Sequence, residues 1–489
     1  MLPPSMRTRL WPALTFAFLS TTATSCATRP SAPDPQLVAQ WLRTSLAFVR
    51  SERLGPPVAA RISAYGSLAL YEGYASDASS SLRSLGGQLN GLNALPRADG
   101  IDGATAAAAA EQVVLDSLFR DGFASTKRTI DSLAAAQIAA RQTTGVDQKM
   151  SERSVQHGRA LGGAILAWAA TDSFFATRDR PWTPPAKREQ WVNTVTTDQF
   201  VPQLLSGESD IVLAGNPNSA LDPERASSRS VLANRPKAAK KGSTLPAFNP
   251  VRPTEPYWGS FRTFAIRDGD ECAPPGLPAY SEKSGSPFWL VAKEFYDSVK
   301  TITPAKREIA LFWADNPVAT GTPGFHWVSV VNQMIARRNL SADAAAELYT
   351  LTSIAIADAF IGCWREKYKS LVLRPVTYTQ RVFDPKWVTL FATPPFTEYP
   401  SGHSTLSAAA SHVLSRVLGD TIPFVDSTQV DIGFAPRPFK SFSAARDEVA
   451  ISRVYGGIHY VRSVMDGLAQ GECIGERVMT RLKTRRDAK

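Results

Sequence analysis

The sequence predicts an all-α protein organised in two halves. Apolar residues recur at the spacing of one helix face along most of the 489-residue chain. Alanine tracts such as Ala106–Ala110 favour helix by propensity, and strand patterns are few. Residues 227–256 are rich in Pro, Ser, Lys and Asn and show no sustained period, so we take this segment as the boundary between the halves. The alternative is an extended segment that wraps over the surface.

The helices predicted before this boundary follow apolar residues at helical spacing. They cover Gln40–Arg50, Val58–Glu72, Thr105–Phe119, Thr126–Arg141 and Ser151–Phe175. Pro181 and Pro185 bar any continuation of the last one. The helices predicted after the boundary cover Pro287–Ile302, Lys306–Asp315, His326–Arg338, Ala342–Ser370, Ser404–Leu418, Phe442–Tyr455 and His459–Leu482.

The charge balance is basic, with 54 Lys and Arg against 44 Asp and Glu and a formal net charge of +10. This favours anionic ligands in general. The sequence shows no helix-turn-helix, zinc-finger or aromatic RNA-binding pattern, so nucleic acid is not an expected partner. A small basic cluster fits a solvated linker better than a binding surface: Arg235, Lys237, Lys240 and Lys241.

The N-terminus, residues 1–26, predicts an export signal. Arg7 and Arg9 precede an apolar run over Leu10–Leu19, and small residues follow before Cys26. This run is too short to cross a bilayer, which needs ~20 residues. Because Ala23–Cys26 resembles a bacterial lipobox, we expect lipidation of Cys26, with plain secretion as the alternative. The mature protein is then periplasmic or at the outer surface, and it touches a membrane only through a lipid anchor.

The remaining cysteines are Cys272, Cys363 and Cys473, an odd number that cannot all pair. Their spacing fits no metal motif. Cys363 and Cys473 lie in helical patterns and are expected to be buried small hydrophobic residues. An oxidising compartment also permits one disulfide.

Lys367 and Arg374 form the first segment with candidate chemistry. Seven residues turn through about 700° on an α-helix, so both cations should face the same way, two turns apart. Pro375 should end the helix at Arg374 and leave the guanidinium free to enter a pocket. Arg offers an oxyanion a planar fork, and Lys offers a point charge. Taken alone, the pair also fits an ordinary basic helix end.

The second segment is Pro400-Ser401-Gly402-His403, followed by a predicted helix. Free N–H groups at a helix start favour an anion, and Gly402 lets the backbone approach it closely. His403 can act there as an acid or base near neutral pH. A simple serine cap with a surface histidine is the alternative.

The third segment runs from Ser452-Arg453 to His459, with Gly456-Gly457 interrupting one helix before the next. It points a second helix start and an imidazole towards the same pocket. Taken alone, a loop histidine without function explains it better. The functional signal is specific only when the three segments are taken together and in order. The order is Lys, six residues and Arg-Pro, then Pro-Ser-Gly-His, then Ser-Arg, five residues and His.

This three-part signature resembles that of the vanadium haloperoxidase and type 2 phosphatidic-acid-phosphatase superfamily. The surrounding sequence is similar to bacterial haloperoxidase-like proteins over Pro57–Arg61, Ala310–Asp315, Thr393–Phe396, Ser441–Ser443 and Tyr455–His459. The resemblance implies two helix bundles, with the oxyanion site in the C-terminal bundle. The expected domains are a helical domain over residues 36–226, an irregular linker over 227–284 and the catalytic bundle over 285–489.

The resemblance also implies a role for each site residue. Three cations would neutralise the oxygens of vanadate or phosphate, namely Lys367, Arg374 and Arg453. Ser401 and the Gly402 amide would hydrogen-bond to those oxygens. His459 would bind vanadium in a peroxidase or attack phosphorus in a phosphatase, and His403 would exchange protons with the apical oxygen. Vanadate and a phosphoryl transition state are both trigonal bipyramidal oxyanions, so one set of donors can serve either.

Residues around this set bear on the choice between the two chemistries. The resemblance places Trp364 and Phe396 at the halide side of the pocket, and an aromatic carbon ring at Phe396 goes with chloride-oxidising members. Asp315 is similar in context to a supporting carboxylate, with a helix-end residue as the alternative. The family often has Asp four residues after the second His, where this chain has Ser463. Asp466 lies about 10 Å further along the helix, so we expect His459 to lack a charged partner and to have Ser463 as a neutral neighbour. The missing charge disfavours a phosphatase.

We therefore expect a vanadate-dependent haloperoxidase that uses hydrogen peroxide to oxidise chloride or bromide to hypohalous acid, with an unknown organic acceptor. The first alternative is an acid phosphatase with His459 as nucleophile. The second is a lipoprotein that binds an oxyanion without catalysis. The first bundle would add bulk, part of the pocket rim and a contact for a homodimer.

Overall fold

The computed structural model describes residues 30–184, 186–194, 244–245, 252–317 and 320–486. The predicted export signal with Cys26, the basic cluster and most of the 227–256 boundary lie outside the described residues.

The first half is helical, and most helices extend a few residues beyond the predicted bounds. They are α1 (Gln36–Ser51), α2 (Pro56–Ser76), α3 (Gly103–Leu118), α4 (Ala124–Thr143), α5 (Gln148–Ala169) and the short α6 (Phe174–Thr177). The side chains of Asp102 and Asp147 cap α3 and α5 by accepting from the backbone N–H of Thr105 and Met150. The single helix predicted over Ser151–Phe175 is wrong, because the chain breaks after Ala169 and Ser173 is left-handed, with φ 75°.

The second half contains α7 (Pro287–Val299), α8 (Pro304–Phe312), α9 (Thr322–Arg337), α10 (Ala342–Ser370), α11 (Pro375–Val382), α12 (Gly402–Leu418), α13 (Phe442–Tyr455) and α14 (Val461–Arg481). In the described parts of the chain the strands are β1 (Phe424–Asp426) and β2 (Arg437–Phe439), an antiparallel pair with Phe424 opposite Phe439. Short 3-10 turns lie at Trp258–Ser260 and Val430–Ile432. The all-α prediction is confirmed.

The region around Arg374 differs from the prediction. Helix α10 ends at Ser370 because Leu371 takes a left-handed conformation, with φ 53°. Arg374 is the N-cap of α11, with Pro375 in its first turn. Lys367 and Arg374 therefore do not share one helix. The unpredicted α11 follows from the same proline that was expected only to end a helix.

Helices α2 and α10 pass through the centre of the molecule. Every residue of α2 is buried, and α2 packs against both α3 and α10. Helix α10 is long and apolar enough to cross a membrane, but 94% of its apolar window is buried inside the protein. One continuous apolar core joins residues of both halves, from Trp41 in α1 to Ile474 in α14.

The segment before α7 packs along α10. Asp358 in α10 accepts hydrogen bonds from the backbone N–H groups of Phe264, Ala265 and Ile266 at 2.6–3.0 Å. A disulfide joins Cys272 in this segment to Cys473 in α14. The expectation that Cys473 is an unpaired hydrophobic residue is wrong, while the single bridge that an oxidising compartment permits is formed. Cys363 is free and buried, as expected.

Helices α12 and α14 approach each other unusually closely. The α14 face that meets α12 carries a glycine every fourth residue, at Gly467, Gly471 and Gly475. A Cβ on Gly471 would lie 1.9 Å from the carbonyl oxygen of Thr405, and one on Gly467 would lie 2.8 Å from that of Ser401. Backbone therefore packs directly on backbone, which sets the distance between the two segments that carry Ser401 and His459.

We expect Gly471→Ala to destabilise the protein, because the added methyl group must push the two helices apart. The cost should be about 1–3 kcal/mol, as for other overpacked sites. Gly163→Ala in α5 is the matched control, since a Cβ there meets nothing within 4 Å and alanine favours helix by about 0.5–1 kcal/mol over glycine. Urea unfolding of both variants measures this. Equal midpoints for wild type and Gly471→Ala would contradict the close approach.

Candidate active site

Lys367 lies in the last turn of α10 and is fully buried. Its Nζ donates to the carbonyl oxygens of Thr397, Glu398 and Pro400 at 3.0, 2.9 and 2.5 Å. Burial lowers the pKa of Lys367 to about 8, and Arg374 adds to the lowering. The lysine thus ties the end of α10 to the loop before α12.

Arg374 is also fully buried, and its guanidinium spans two loops. Nε and Nη2 donate to the carbonyl oxygen of Phe396 at 3.1 and 2.9 Å, and Nη1 donates to that of Ile458 at 2.9 Å. Nη1 also lies 3.1 Å from His459 Nε2. Burial lowers the pKa of Arg374 to about 10, with Glu398 opposing the change.

Arg453 comes from the last turn of α13 and completes the set of cations. Its Nη1 donates to the Trp313 carbonyl oxygen at 2.6 Å, whereas its Nε is buried and has no hydrogen-bond partner among the described residues. Burial lowers the pKa of Arg453 to about 9. A buried donor without a partner is costly, so this atom points to a ligand that accepts from it.

Ser401 is the N-cap of α12, as the motif predicts. Its Oγ accepts from the Ser404 backbone N–H at 3.3 Å and from the Ser404 hydroxyl at 2.9 Å, which leaves the Ser401 O–H able to donate. Gly402 opens the helix, and a Cβ at its position would stand 3.5 Å from the Trp364 ring. The free N–H groups of the first helical turn complete the anion-binding geometry.

His403 follows in the first turn of α12. Its Nε2 is buried and meets no hydrogen-bond partner in the part of the chain that the structure describes. Burial lowers the pKa of His403 well below the usual value of 6.5, and Arg453 and His326 lower it further. The imidazole is therefore neutral near pH 7 and presents a ring nitrogen that can take up a proton.

His459 lies in the turn between α13 and α14 rather than at the start of a helix, since α14 begins at Val461. Gly457 makes this turn with φ +81°. Burial lowers the pKa of His459 well below 6.5, and the causes that add to it are the charges of Arg374, Lys367, Arg453 and His403. The structure thus brings the predicted cations and both histidines into one buried group.

The contacts of His459 overturn one expectation. His459 Nδ1 lies 2.8 Å from Glu398 Oε1, and both side chains are buried. His459 therefore does have an acidic partner, contributed by the loop before α12 instead of by α14. Burial raises the pKa of Glu398 to about 7, and the charges of Arg374 and Lys367 oppose the change. Ser463 donates to the other oxygen, Glu398 Oε2, at 2.8 Å. Asp466 accepts from Tyr399 and Arg462 instead, as its distance along the helix predicts.

Trp364 and Phe396 lie beside the cations, with ring centroids 5.0 Å apart. The Lys367 Nζ stands 5.2 Å from the Phe396 centroid, and the Arg374 guanidinium stands 5.0 Å from it. The indole N–H of Trp364 donates to the Thr254 carbonyl oxygen at 3.1 Å. The two rings form an apolar wall on the cationic side of the site.

Asp315 acts in a buried charge cluster behind the site. His326 lies between two carboxylates, with Nδ1 3.0 Å from Asp315 Oδ1 and Nε2 2.7 Å from Asp426 Oδ2. Burial alone would lower the pKa of His326, but the two carboxylates outweigh it and raise the pKa to about 10. Asp315 directly follows Trp313 and Ala314, whose backbone groups contact Arg453 and His403. Asp315 thus supports the site through this loop and its charge.

An apolar cluster backs the site from the other side. Leu373, Val454 and Tyr460 belong to it, and each is the chain neighbour of a site residue: Arg374, Arg453 and His459, respectively. Phe288 and Phe295 of α7 fill the space between them. The backbone of three site residues is therefore anchored by one packed cluster.

Sequence reasoning missed Glu398, His326 and Asp426. Glu398 lies two residues before Pro400, and a carboxylate so close to an anion-binding motif was a usable signal. The pairing of His326 with Asp426 joins residues 100 positions apart, and no local pattern marks it.

The fold and the site together define a helical protein with a buried cationic site for a tetrahedral or bipyramidal oxyanion. The family model described as the VCPO second helical-bundle domain matches residues 379–488. Vanadium chloroperoxidase from Curvularia inaequalis is 29% identical over 195 residues, which span 33% of this chain and 32% of that protein. The match thus covers about a third of that relative's length.

Solved structures extend the likeness to almost the whole chain. The crystal structure of the first bacterial vanadium-dependent iodoperoxidase is similar with a TM-score of 0.76 and 30% identity, covering 94% of this chain and 99% of that one. A holo-type bacterial vanadium-dependent chloroperoxidase shares the fold, with a TM-score of 0.62 and 15% identity over 88% of this chain and 92% of that one. The chain belongs to the vanadium-dependent haloperoxidase family, whose members are enzymes.

We expect the cluster of His326, Asp315 and Asp426 to stabilise the protein less as the pH rises into the alkaline range. Because the pKa of His326 rises from 6.5 to about 10 on folding, its contribution is full below pH 6.5, declines above that value and is lost once the pH passes about 10. His326→Gln should cost about 3–5 kcal/mol near neutral pH, since it leaves two buried carboxylates without their cation.

Denaturant unfolding at about pH 6 and about pH 10 tests this linkage. The stability difference between wild type and His326→Gln should shrink at the higher pH. His412→Gln is the control, because it removes a partly exposed contact with Glu476 at 2.9 Å. A difference that is constant with pH would show that His326 is not held as a cation.

Proposed function

We propose that this protein is a vanadate-dependent haloperoxidase, in which hydrogen peroxide oxidises a halide ion with uptake of one proton to give hypohalous acid and water. An organic acceptor then consumes the hypohalous acid. The observation that carries the proposal is the position of His459 Nε2, which lies 3.1 Å from Arg374 Nη1 in a buried site with the charges of Lys367 and Arg453.

The residues present fit vanadate. Three buried cations supply the charge for its oxygens, and the unpartnered Arg453 Nε and the Ser401 O–H can donate to them. His459 Nε2 would be the vanadium ligand, since neutral imidazole nitrogen suits such metals. When bound, vanadate supplies a Lewis-acidic centre that activates peroxide without a change in oxidation state.

His403 is suited to the proton transfers of this reaction. Its Nε2 is unprotonated, buried and without a partner, so it can take a proton from hydrogen peroxide and give it back to the oxygen that leaves as water. Burial lowers the pKa of His403, and the positive charges of Arg453 and His326 lower it further, so the ring does not hold that proton in the resting state.

We propose Trp364 and Phe396 as the wall of the halide site. Their rings lie against Lys367 and Arg374, so a halide there would lose water on one side and meet cations on the other. The resemblance links the phenyl ring of Phe396 to chloride oxidation, so a comparison of chloride with bromide tests this residue. Because the relatives include a chloroperoxidase and an iodoperoxidase, iodide is tested beside them.

The second candidate function is phosphomonoester hydrolysis with His459 as nucleophile. The contact between His459 Nδ1 and Glu398 at 2.8 Å supports it, because a carboxylate stabilises the positive ring of a phospho-imidazole. The same cations would serve the phosphoryl group. This contact makes phosphatase activity a stronger alternative than the sequence indicates.

The test is halide-dependent oxidation of a dione reporter by hydrogen peroxide, with and without orthovanadate, on protein lacking residues 1–26. We expect turnover that requires vanadate and that phosphate suppresses. Arg374→Ala/Arg453→Ala should abolish turnover and weaken orthovanadate binding in calorimetry, by roughly 10- to 100-fold for each charged hydrogen bond lost. The control Arg128→Ala/Arg159→Ala removes two exposed arginines and should change neither.

The outcomes separate the candidates. Hydrolysis of a phosphomonoester without halide oxidation would assign the site to a phosphatase. Tight orthovanadate binding with neither reaction would leave an oxyanion-binding lipoprotein. Unchanged binding in the double arginine variant would overturn the shared site itself.

We also propose that the protein is exported and carries a lipid on Cys26. The Cys272–Cys473 disulfide supports an oxidising compartment. In a bacterial host, metabolic labelling with a fatty acid should mark the wild type but not Cys26→Ser, and Cys26→Ser should leave the membrane fraction. Equal labelling of both proteins would refute lipidation at this residue.

A further inference from the structure

We propose that Glu398 is the positioning residue that fixes the ring of His459 and turns its Nε2 towards the oxyanion. The carboxylate that orients this histidine thus comes from the loop before α12 and not from the helix that follows His459. The inference rests on the proposed function only in naming the oxyanion as vanadate.

The donors and acceptors around the ring define its tautomer. Arg374 Nη1, 3.1 Å from Nε2, can only donate a hydrogen bond. Nε2 must therefore be unprotonated, and the ring proton lies on Nδ1. Glu398 Oε1 accepts that proton at 2.8 Å. An arginine on one side and a carboxylate on the other thus select the single tautomer that presents a lone pair to the site.

Glu398 is itself held from several directions. Oε1 also accepts from the Tyr460 backbone N–H at 3.1 Å, and Oε2 accepts from the Ser463 hydroxyl at 2.8 Å. Its backbone N–H donates to the Val372 carbonyl oxygen at 3.0 Å, and its own carbonyl oxygen accepts from Lys367 at 2.9 Å. The residue is fully buried, so its carboxylate cannot turn away without breaking several of these bonds.

Ser463 explains why the carboxylate comes from the loop. It lies four residues after His459, in the first turn of α14, where a longer acidic side chain could reach Nδ1. Its hydroxyl instead donates to Glu398 and contributes no charge. Glu398 thus accepts the hydrogen bond from His459, and Ser463 holds Glu398 in place.

This arrangement permits a relocation test. Glu398→Gln keeps the size of the side chain and removes its charge. Glu398→Gln/Ser463→Asp returns a carboxylate to the ring from α14. Ser463→Ala keeps Glu398 and removes only its support. A metal-binding histidine that loses such a partner typically binds its metal ion about 10- to 100-fold more weakly.

The first readout is orthovanadate affinity by calorimetry, without peroxide or halide. Glu398→Gln should bind about 10- to 100-fold more weakly than wild type, Ser463→Ala should lose less, and the relocated carboxylate should recover most of the loss. Wild-type affinity in Glu398→Gln would overturn the proposal. Because no turnover is involved, this result is independent of whether the wild type oxidises halides.

The second readout is the tautomer of His459 in protein free of vanadate. The chain has five histidines, so nitrogen-15 NMR of histidine-labelled protein resolves each ring, and His459→Gln assigns the signals. We expect the Nδ1–H form in wild type and a mixture of tautomers in Glu398→Gln, with the single form restored by Ser463→Asp. If Glu398→Gln does not fold, Glu398→Asp replaces it. A pure Nδ1–H signal together with unchanged affinity in either variant would overturn the proposal.

Discussion

Three cations buried in one site are the constraint on which the rest of this structure depends. Burying an ion costs several kcal/mol after relaxation unless its charge is compensated. Here Lys367, Arg374 and Arg453 are compensated mainly by backbone carbonyl oxygens. Carbonyl oxygens can point at these cations only if the loops that carry them are held in place. The electrostatics of the site therefore impose a rigid arrangement on segments far apart in the chain.

Two devices supply that rigidity. The glycines of α14 let its backbone pack directly on α12, which sets the separation of Ser401 and His459. The apolar cluster of Leu373, Val454 and Tyr460 then anchors the residues next to the two arginines and His459. Neither device touches an oxyanion. Both use ordinary helix packing to fix the positions of the hydrogen-bond donors. A methyl group at Gly471 should therefore disturb catalysis as well as stability.

How much of this structure the sequence predicts depends on how far apart along the chain the interacting residues lie. Helices and the motif residues depend on local spacing, so the all-α class and the convergence of Lys367 and His459 were accessible. The end of α10 was not, because Leu371 adopts a left-handed conformation that leucine does not signal. Glu398 was overlooked because its partner lies 61 residues away. The cluster around His326 and the Cys272–Cys473 pair likewise join distant segments, and no periodic pattern encodes such pairs.

The relation between Glu398 and Ser463 changes how the two chemistries of this site compare. With a serine at position 463 alone, a positive charge on His459 would have no acidic partner, and peroxidase chemistry would be favoured by default. With Glu398 against Nδ1, the same ring can ligate vanadium or carry a phosphoryl group. Under the proposed function, the discrimination then shifts from the histidine to the wall formed by Trp364 and Phe396, which would accept a halide beside the cations. What lies against these two rings would then select the reaction, while the cations that hold the oxyanion would serve both chemistries.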